Sequence, residues 1–148
     1  MFRLLSALTA AVTAGLLFVA GSPAAAATTP GVIVDYGSPS VVKQRPTSIW
    51  AAKDVQFTKV AWKRVGATTA TASAVMRLNT CTPSCADARY VSQRATLTFR
   101  VVSKGRTPYF NCVRADLGTG PVASLWRSKR ITLPLSPAAF DGKIRCSV

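Results

Sequence analysis

Four cysteines are the residues of this 148-residue chain best suited to chemistry: Cys81, Cys85, Cys112 and Cys146. An even number of cysteines in an exported protein predicts disulfide bonds, and four cysteines allow three connectivities. Cys81 and Cys85 enclose a turn with Pro83 in its middle, and such a turn brings two Cα atoms within bridging range. We therefore expect the pairs Cys81–Cys85 and Cys112–Cys146. A redox-active Cys81–Cys85 pair is disfavoured because three residues, not two, separate the cysteines.

Other catalytic side chains are scarce, because the sequence has no histidine and its five acidic residues are all Asp. Without an imidazole, Ser-His-Asp and Cys-His mechanisms and zinc sites with His ligands are excluded. Asp54, Asp87 and Asp141 lie at predicted turns, where Asp side chains usually accept backbone hydrogen bonds. Asp116 lies among basic residues, and we expect it to pair with Arg114 or a neighbour. The sequence therefore predicts no enzymatic activity, no metal site and no cofactor.

The first 27 residues have the three parts of a secretory signal peptide. Arg3 supplies a positive charge, an apolar stretch runs from Leu4 to Ala20, and small residues lead up to Ala27. We expect cleavage after Ala27 or Ala26 and secretion to the extracellular space. An uncleaved membrane anchor is disfavoured because Pro23 and small residues follow the apolar stretch at once. No later apolar run is long enough for a transmembrane segment.

Cleavage after residue 27 removes one Arg and leaves 121 residues that carry 18 Lys and Arg against five Asp. A chain of this length buries enough surface for one core. We therefore expect a single β domain over residues 46–148. Residues 28–45 are rich in Pro, Gly and Ser, which predicts a flexible N-terminal arm in which Val32–Val34 forms an edge strand.

Apolar and polar residues alternate with a period of two in about six runs, and this period predicts β-strands. The longest run covers residues 69–79, where Ala70, Ala72 and Ala74 alternate with Thr and Ser. Val60 and Trp62 share the core-facing parity of another run. The remaining runs cover residues 48–52, 57–65, 94–101, 109–117 and 130–135, and no stretch has sustained helical periodicity. We expect an all-β fold, either a small antiparallel β-sandwich or a barrel of about six strands, with two disulfides.

Three motifs resemble those of small secreted all-β proteins of unknown function from high-GC Gram-positive bacteria. In chain order they are Arg45-Pro46-x-Ser48-Ile49, Val60-Ala61-Trp62-x-x-x-Gly66 and Cys81-Thr82-Pro83-Ser84-Cys85-Ala86. The resemblance covers residues 45–110, and its Cys-x-Pro-x-Cys-Ala turn is the most specific part. The chain departs from that pattern in having Cys112 and Cys146 and in lacking a second Trp near Val65. The resemblance implies a secreted β protein and no catalytic residues, because the family has no established activity.

The excess of positive charge is the one unusual functional feature of the sequence, whose net charge is +14. Arg77, Arg94 and Arg100 occupy predicted outward positions. Two local clusters each adjoin a Trp, and a basic surface raises the local concentration of a polyanion. We expect contacts with anionic cell-wall or extracellular polymers through these clusters, which are Arg127, Lys129 and Arg130 beside Trp126, and Lys63 and Arg64 beside Trp62.

Two alternatives to polymer binding remain open. Positive charge also serves solubility alone, and a small disulfide-bonded β protein also suits a secreted inhibitor-like module. Such a module would present the Cys81–Cys85 loop to a protein partner. Salt separates these functions, because polyanion binding weakens steeply with salt whereas a loop bound in a cleft does not. The sequence contains no motif for sequence-specific nucleic-acid binding.

Peptide mapping tests the predicted connectivity. Digestion without reduction is expected to recover Cys81 joined to Cys85 and Cys112 joined to Cys146, and a peptide joining Cys85 to Cys112 would contradict it. Replacement of Cys112 by Ser is expected to lower the free energy of unfolding more than replacement of Cys81. The reason is that the longer loop restricts the unfolded chain more, by about 4 kcal/mol against about 2 kcal/mol.

Overall fold

The computed structural model describes residues 29–35, 41–81, 89–102, 109–135 and 146. Nine strands and one short helix lie in this part of the chain, and the strands form two sheets. The all-β fold is therefore confirmed. The elements are β1 (Gly31–Ile33), β2 (Val42–Lys43), β3 (Ser48–Ala52), β4 (Val55–Val65), β5 (Thr69–Asn79), β6 (Tyr90–Arg100), β7 (Tyr109–Phe110), β8 (Cys112–Asp116), α1 (Pro121–Trp126) and β9 (Arg130–Pro134).

The large sheet has six antiparallel strands in the order β3–β4–β5–β6–β8–β9. These strands lie in the six runs of alternating residues that the sequence predicts. The edge strands β3 and β9 approach each other, so the sheet is curled into a half-barrel around the core. The sandwich alternative is not confirmed.

Small residues on β5 make room for the aromatic core. Ala70 lies directly opposite Phe99 on β6, and Ala72 lies opposite Trp62 on β4. The ring centroids of Trp62 and Phe99 are 4.7 Å apart, and those of Phe99 and Phe110 are 5.9 Å apart. Each such aromatic pair stabilises the fold by about 0.5–1.5 kcal/mol beyond the apolar area that it buries. The small side chains of Ala70 and Ala72 therefore leave room for the rings of Phe99 and Trp62.

A β-bulge in β4 keeps Lys59 out of the core. Phe57 is fully buried, so strict alternation would turn Lys59 inward. The register with β5 shifts between Thr58 and Ala61, and Val60 takes the inward position instead. Lys59 adopts a positive φ of 53°. The expected core position of Val60 is confirmed. Strict alternation would put Phe57 and Val60 on opposite faces of the strand, and the bulge allows both to face the core.

A second register shift in β4 lies between Trp62 and Arg64. It leaves Lys63 and Arg64 exposed on consecutive positions, while Trp62 and Val65 pack against the core. The indole Nε1 of Trp62 donates a hydrogen bond to the carbonyl oxygen of Pro46 at 3.0 Å. This strand therefore carries three basic residues without burying any of them.

The small sheet has the order β2–β1–β7, with β1 antiparallel to β2 and parallel to β7. The strand that the sequence allows at Val32–Val34 is thus the middle strand of this sheet and not an edge strand. Val32 and Ile33 are buried, and the Trp50 N–H donates to the Val34 carbonyl oxygen at 2.8 Å. Val32 and Ile33 belong to the segment that the sequence predicts to be a flexible arm, yet they pack against the domain. Their strand is stabilised there because its side chains are apolar and its backbone groups are paired on both sides.

Asn111 is a fully buried polar residue that divides the predicted strand 109–117 into β7 and β8. Its side-chain oxygen accepts a hydrogen bond from the Val102 N–H at 2.8 Å. Its backbone N–H donates to the Arg100 carbonyl at 3.1 Å, and its carbonyl accepts from the Leu135 N–H at 2.8 Å. A continuous strand would place Phe110 on the same face as Arg114, and the break at Asn111 lets Phe110 enter the core.

The predicted Cys112–Cys146 disulfide is confirmed, with Cα atoms 5.6 Å apart. It attaches residue 146 to the first residue of β8, beside the carbonyl oxygen of Asn111. Cys81 is not a free thiol. Its expected partner, Cys85, lies outside the described residues, so the Cys81–Cys85 pairing stays a prediction.

The helix α1 is absent from the sequence-based prediction because six residues are too few to show helical periodicity. It follows the predicted turn at Gly118–Pro121, and Pro suits the first helical position, where its missing N–H is not needed. Val122 and Ala123 are its buried residues. Within the described residues, no helix is long and apolar enough to cross a membrane.

Gln93 on β6 replaces the missing side-chain cap of this helix. Its Oε1 accepts hydrogen bonds from the backbone N–H groups of Val122 at 2.9 Å and Ala123 at 3.1 Å. Its Nε2 donates to the carbonyl oxygen of Leu117. Gln93 therefore fixes α1 on the sheet through three hydrogen bonds.

The Gln93 cap explains a glycine at position 120. A Cβ at this position would lie 2.5 Å from Gln93 Cδ and 2.6 Å from Oε1. Gly120→Ala is therefore expected to lower the free energy of unfolding by about 1–3 kcal/mol, because Gln93 cannot move without breaking its hydrogen bonds. Chemical denaturation would measure this change.

Gly66→Ala is the matched control, because its Cβ would meet only the Thr69 carbonyl oxygen, at 3.4 Å. We expect it to change stability by about 0.5 kcal/mol or less. In a Gln93→Ala background the cost of Gly120→Ala is expected to shrink. An undiminished cost in that background would show that contact with Gln93 is not the cause.

Candidate functional site

The solvent-facing side of the large sheet, which we call the outer face, carries mainly basic and hydroxyl side chains, with Ala61 and Val75 as apolar members. Its residues alternate along each strand with those that fill the core. The two β4 bulges add their extra residues to it. The outer face also includes Thr58, Lys59, Lys63, Arg64, Thr71, Ser73, Arg77, Arg94, Thr96, Thr98, Arg100, Arg114, Asp116, Arg130 and Thr132.

Strand register arranges these side chains in rows. One row runs through Arg64, Thr71, Thr98, Arg114 and Thr132 on five successive strands. Neighbouring strands are about 4.8 Å apart, and Arg64 and Arg114 lie three strand spacings apart. Their backbones are therefore separated by about 14 Å. β-Branched Thr suits a strand and supplies a hydroxyl without covering its neighbours. The row is therefore a hydroxyl-lined path between two guanidinium groups.

Five exposed cations of the outer face are free of ion pairs within the described residues: Lys59, Lys63, Arg64, Arg94 and Arg100. They lie on β4 and β6, on either side of β5. The middle of the sheet therefore presents positive charge to solvent, available to an anion from outside the protein.

Arg77 is held differently, because it is only half-exposed. Its guanidinium carbon lies 4.1 Å from the centroid of the Tyr90 ring, and its Nη1 donates to Gln56 Oε1 at 3.2 Å. A cation over an aromatic ring keeps its charge while its position is restricted. Arg77 thus extends the positive outer face towards the far end of β5.

Asp116 is the described carboxylate of this face, and two Arg residues bind it. The Arg130 Nε lies 2.7 Å from Oδ1, and the Arg114 Nε lies 3.2 Å from Oδ2. The hydrogen bond from Arg130 is the main reason that the pKa of Asp116 is lowered below its ordinary value of 3.8; partial burial opposes this shift, and the charge of Arg114 adds to it. The three groups together keep a net positive charge.

All three basic side chains of the predicted cluster at residues 126–130 are exposed, but they differ in their contacts. Arg127 and Lys129 are exposed, and Arg127 ends α1 in a left-handed conformation. Arg130 is bound to Asp116. Trp126 is half-buried and packs against the core. Trp126 is therefore less exposed than the charged side chains that follow it in the sequence.

The second predicted cluster, Lys63 and Arg64, lies on the outer face. Both side chains are exposed, while the adjacent Trp62 packs against Phe99. Arg64 heads the row that reaches Arg114, so this cluster is one end of a longer basic surface.

Two depressions of similar size mark the described surface. A trough of about 580 Å³ lies on the outer face and includes Lys59, Arg94 and Asp116. An apolar groove of about 540 Å³ lies at one end of the half-barrel, where the exposed Leu125 and the half-buried Trp126 adjoin the β3–β4 turn. Among the described residues, no group of three or more side chains is placed to hold a metal ion.

No protein-family model, curated protein or solved structure matches this chain.

Sequence reasoning found part of the outer face and missed part. The outward positions of Arg77, Arg94 and Arg100 are confirmed, as is the pairing of Asp116 with Arg114. Lys59 was not named as a site residue from the sequence; its exposure agrees with the core-facing parity of Val60 and Trp62, whereas the bulge is evident only from the strand register. The Arg130 contact was missed because it joins residues on two strands separated by a helix.

The lowered pKa of Asp116 predicts a pH-dependent contribution to stability. A carboxylate whose folded pKa is below its unfolded pKa stabilises the fold above the unfolded value, and this contribution is lost as pH falls through the folded pKa. Asp116→Asn is expected to cost about 0.5–1 kcal/mol at pH 7, a small value because the side chain of Arg130 is 68% exposed. The difference from wild type is expected to shrink as pH falls below 3.8 and to vanish once the carboxylate is protonated in the folded protein as well.

Urea denaturation at a series of pH values measures this difference. Asp54→Asn is the matched control, because it removes a carboxylate from an exposed turn that has no ion pair among the described residues. Equal pH profiles for the two variants would show that general charge repulsion, and not the contact with Arg130, causes the effect.

Proposed function

We propose that this protein is a secreted, non-catalytic polymer-binding protein whose outer face binds anionic cell-wall or extracellular polymers. The observation that carries the proposal is the set of exposed cations on β4 and β6 that lack ion pairs within the described residues. A charge of +14 explains attraction to a polyanion. The unpaired cations on one side of the sheet indicate where such a polyanion binds.

The spacing of the outer face supports an extended ligand. Outward residues recur about every 6.8 Å along a strand and about every 4.8 Å across the sheet. A polymer with regularly repeated negative charges would meet several cations at once. Hydroxyl groups of Thr71, Thr98 and Thr96 lie between these cations and would donate hydrogen bonds to it.

If the positive charge served only solubility, every exposed cation would contribute equally, whether it lies on the outer face or elsewhere. Arg77 and Arg114 argue for a more specific role, because their guanidinium groups are held by Tyr90 and Asp116. Cations held in place lose less conformational entropy when they bind a ligand.

The predicted extracellular location supports a cell-wall or extracellular polymer as the ligand. The signal peptide predicted over residues 1–27 and the Cys112–Cys146 disulfide are both compatible with an oxidising, extracellular location. The resemblance to secreted proteins of Gram-positive bacteria also favours wall polymers, since these are abundant polyanions outside such cells. We further propose that Cys81 pairs with Cys85 and fixes the loop between them.

Co-sedimentation with purified Gram-positive cell wall, with and without its anionic polymer, tests the function across salt concentrations. Binding is expected to need the anionic polymer and to weaken linearly in log K against log salt. The triple variant Arg64→Gln, Arg94→Gln and Arg100→Gln is expected to flatten this slope by about two to three units. The fold is expected to survive, because exposed substitutions usually cost about 0.5 kcal/mol or less.

Two further triple variants serve as controls. Lys43→Gln, Arg45→Gln and Lys53→Gln remove exposed cations that lie off the outer face. Arg127→Gln, Lys129→Gln and Arg130→Gln remove the cluster predicted from sequence, of which Arg130 alone belongs to the outer face. Equal slopes for all three variants would contradict an outer-face site. A larger effect of the variant at residues 127, 129 and 130 would indicate a site at the end of α1 instead. Absence of salt-dependent binding would overturn the polyanion proposal.

The inhibitor-like alternative is tested by the same salt series. Tight, salt-insensitive binding to a secreted protease would favour a loop bound in a cleft over the outer face. Most of the Cys81–Cys85 loop lies outside the described residues, so no geometry of that loop supports the alternative.

A further inference from the structure

The trough on the outer face is a depression whose lining includes two unpaired cations and two hydroxyl groups. Lys59 is on β4 and Arg94 on β6; Ser73 is on β5, Thr96 is on β6, and the apolar Val75 lies directly opposite Arg94. Lys59 and Arg94 are two strands apart, which corresponds to about 10 Å between their backbones. Both side chains are long enough to reach one ligand in the middle of the trough.

The hydroxyls of Ser73 and Thr96 are available to a ligand. These two residues are direct cross-strand partners on β5 and β6. Neither hydroxyl makes a hydrogen bond to any of the residues that the structure describes. The trough is therefore lined by an ammonium group, a guanidinium group and two hydroxyls from three strands.

The backbone of Lys59 is the second observation. Its φ of 53° places a non-glycine residue in the left-handed region within a strand. Bulges of this kind favour Gly, because a side chain at positive φ brings Cβ close to the following carbonyl oxygen. Gly at this position would keep Val60 buried and relieve the backbone. The lysine side chain is thus present against a local conformational preference, which points to a functional role.

Asp116 also lines the trough, so its charge must be considered. Its two carboxylate oxygens accept hydrogen bonds from Arg130 and Arg114. Two positive charges therefore surround this single negative one. An anion between Lys59 and Arg94 would meet a net positive field.

We propose that this trough binds one phosphodiester group of the polymer, with Lys59 as the residue that decides the preference for phosphate. This inference rests on the proposed polymer-binding function. A phosphodiester has a tetrahedral centre whose two free oxygens accept hydrogen bonds from several directions, and the donors of the trough come from three strands. A planar carboxylate is instead well matched by a single Arg fork.

Lys59→Gly separates this role from a structural one. Titration uses two soluble polymers of matched length, inorganic polyphosphate and polyglutamate, at one low and one moderate salt concentration. Wild type is expected to prefer polyphosphate, and Lys59→Gly to lose about tenfold in polyphosphate affinity, with a smaller loss for polyglutamate. The thermal midpoint is expected to stay unchanged or to rise by up to about 5 °C, since the positive φ no longer strains the backbone.

Lys53→Gly is the matched control, because it removes the same side chain from an exposed turn outside the trough. It is expected to lower affinity for both polymers equally and by about twofold or less. Lys59→Arg is expected to retain most of the binding, because it keeps the charge in the trough. Arg94→Gln is expected to reproduce the selective loss of polyphosphate binding without any change at the bulge.

The outcomes distinguish this inference from the function on which it rests. If wild type binds neither polymer in a salt-dependent manner, both proposals fail. If both polymers bind but Lys59→Gly loses no more than Lys53→Gly, only the trough fails. Equal losses of polyphosphate and polyglutamate binding would overturn the phosphate preference. A thermal midpoint lowered in Lys59→Gly would show that the lysine is retained for the fold.

Discussion

The exclusion of charge from the core is the constraint on which the rest of this structure depends. With 19 Lys and Arg and five Asp, the chain cannot neutralise buried cations with carboxylates, and an unpaired buried charge is strongly destabilising. Strand β4 satisfies this constraint by two register shifts. They bury Phe57 and Val60, pack the half-buried Trp62 against the core and leave the lysines in water. The bulges that protect the core also place positive charge on the outer face.

The core formed in this way is closed by groups that lie far apart in the sequence. Trp62 and Phe110 pack on either side of Phe99. Asn111 then joins the ends of β6 and β9 by hydrogen bonds, and the Cys112–Cys146 disulfide attaches residue 146 beside it. The curled sheet is therefore fixed where its strands would otherwise separate, and its outer face has a defined shape.

A defined shape matters for a surface that binds by charge. Flexible cations attract any polyanion, whereas cations held at fixed spacing favour ligands whose charges match that spacing. Arg77 over Tyr90 and the two guanidinium groups on Asp116 are held in this sense. Lys59 extends this principle to the backbone, because a bulge sets the direction of its side chain. The outer face thus combines a general attraction with local geometry.

Much of this architecture follows from the sequence by itself. The period of two at residues 69–79 and 94–101 predicts β5 and β6, the core-facing Ala residues and the outward Arg94 and Arg100, since alternation places neighbours on opposite faces. An even number of cysteines after a predicted signal peptide predicts disulfide bonds, of which Cys112–Cys146 is present. Tertiary structure alone decides what depends on partner strands: the bulge at Lys59, the break at Asn111, the Gln93 cap of α1 and the contact between Asp116 and Arg130. A single strand's sequence contains its own alternation but not its register, because register is set by the packing of side chains from other strands.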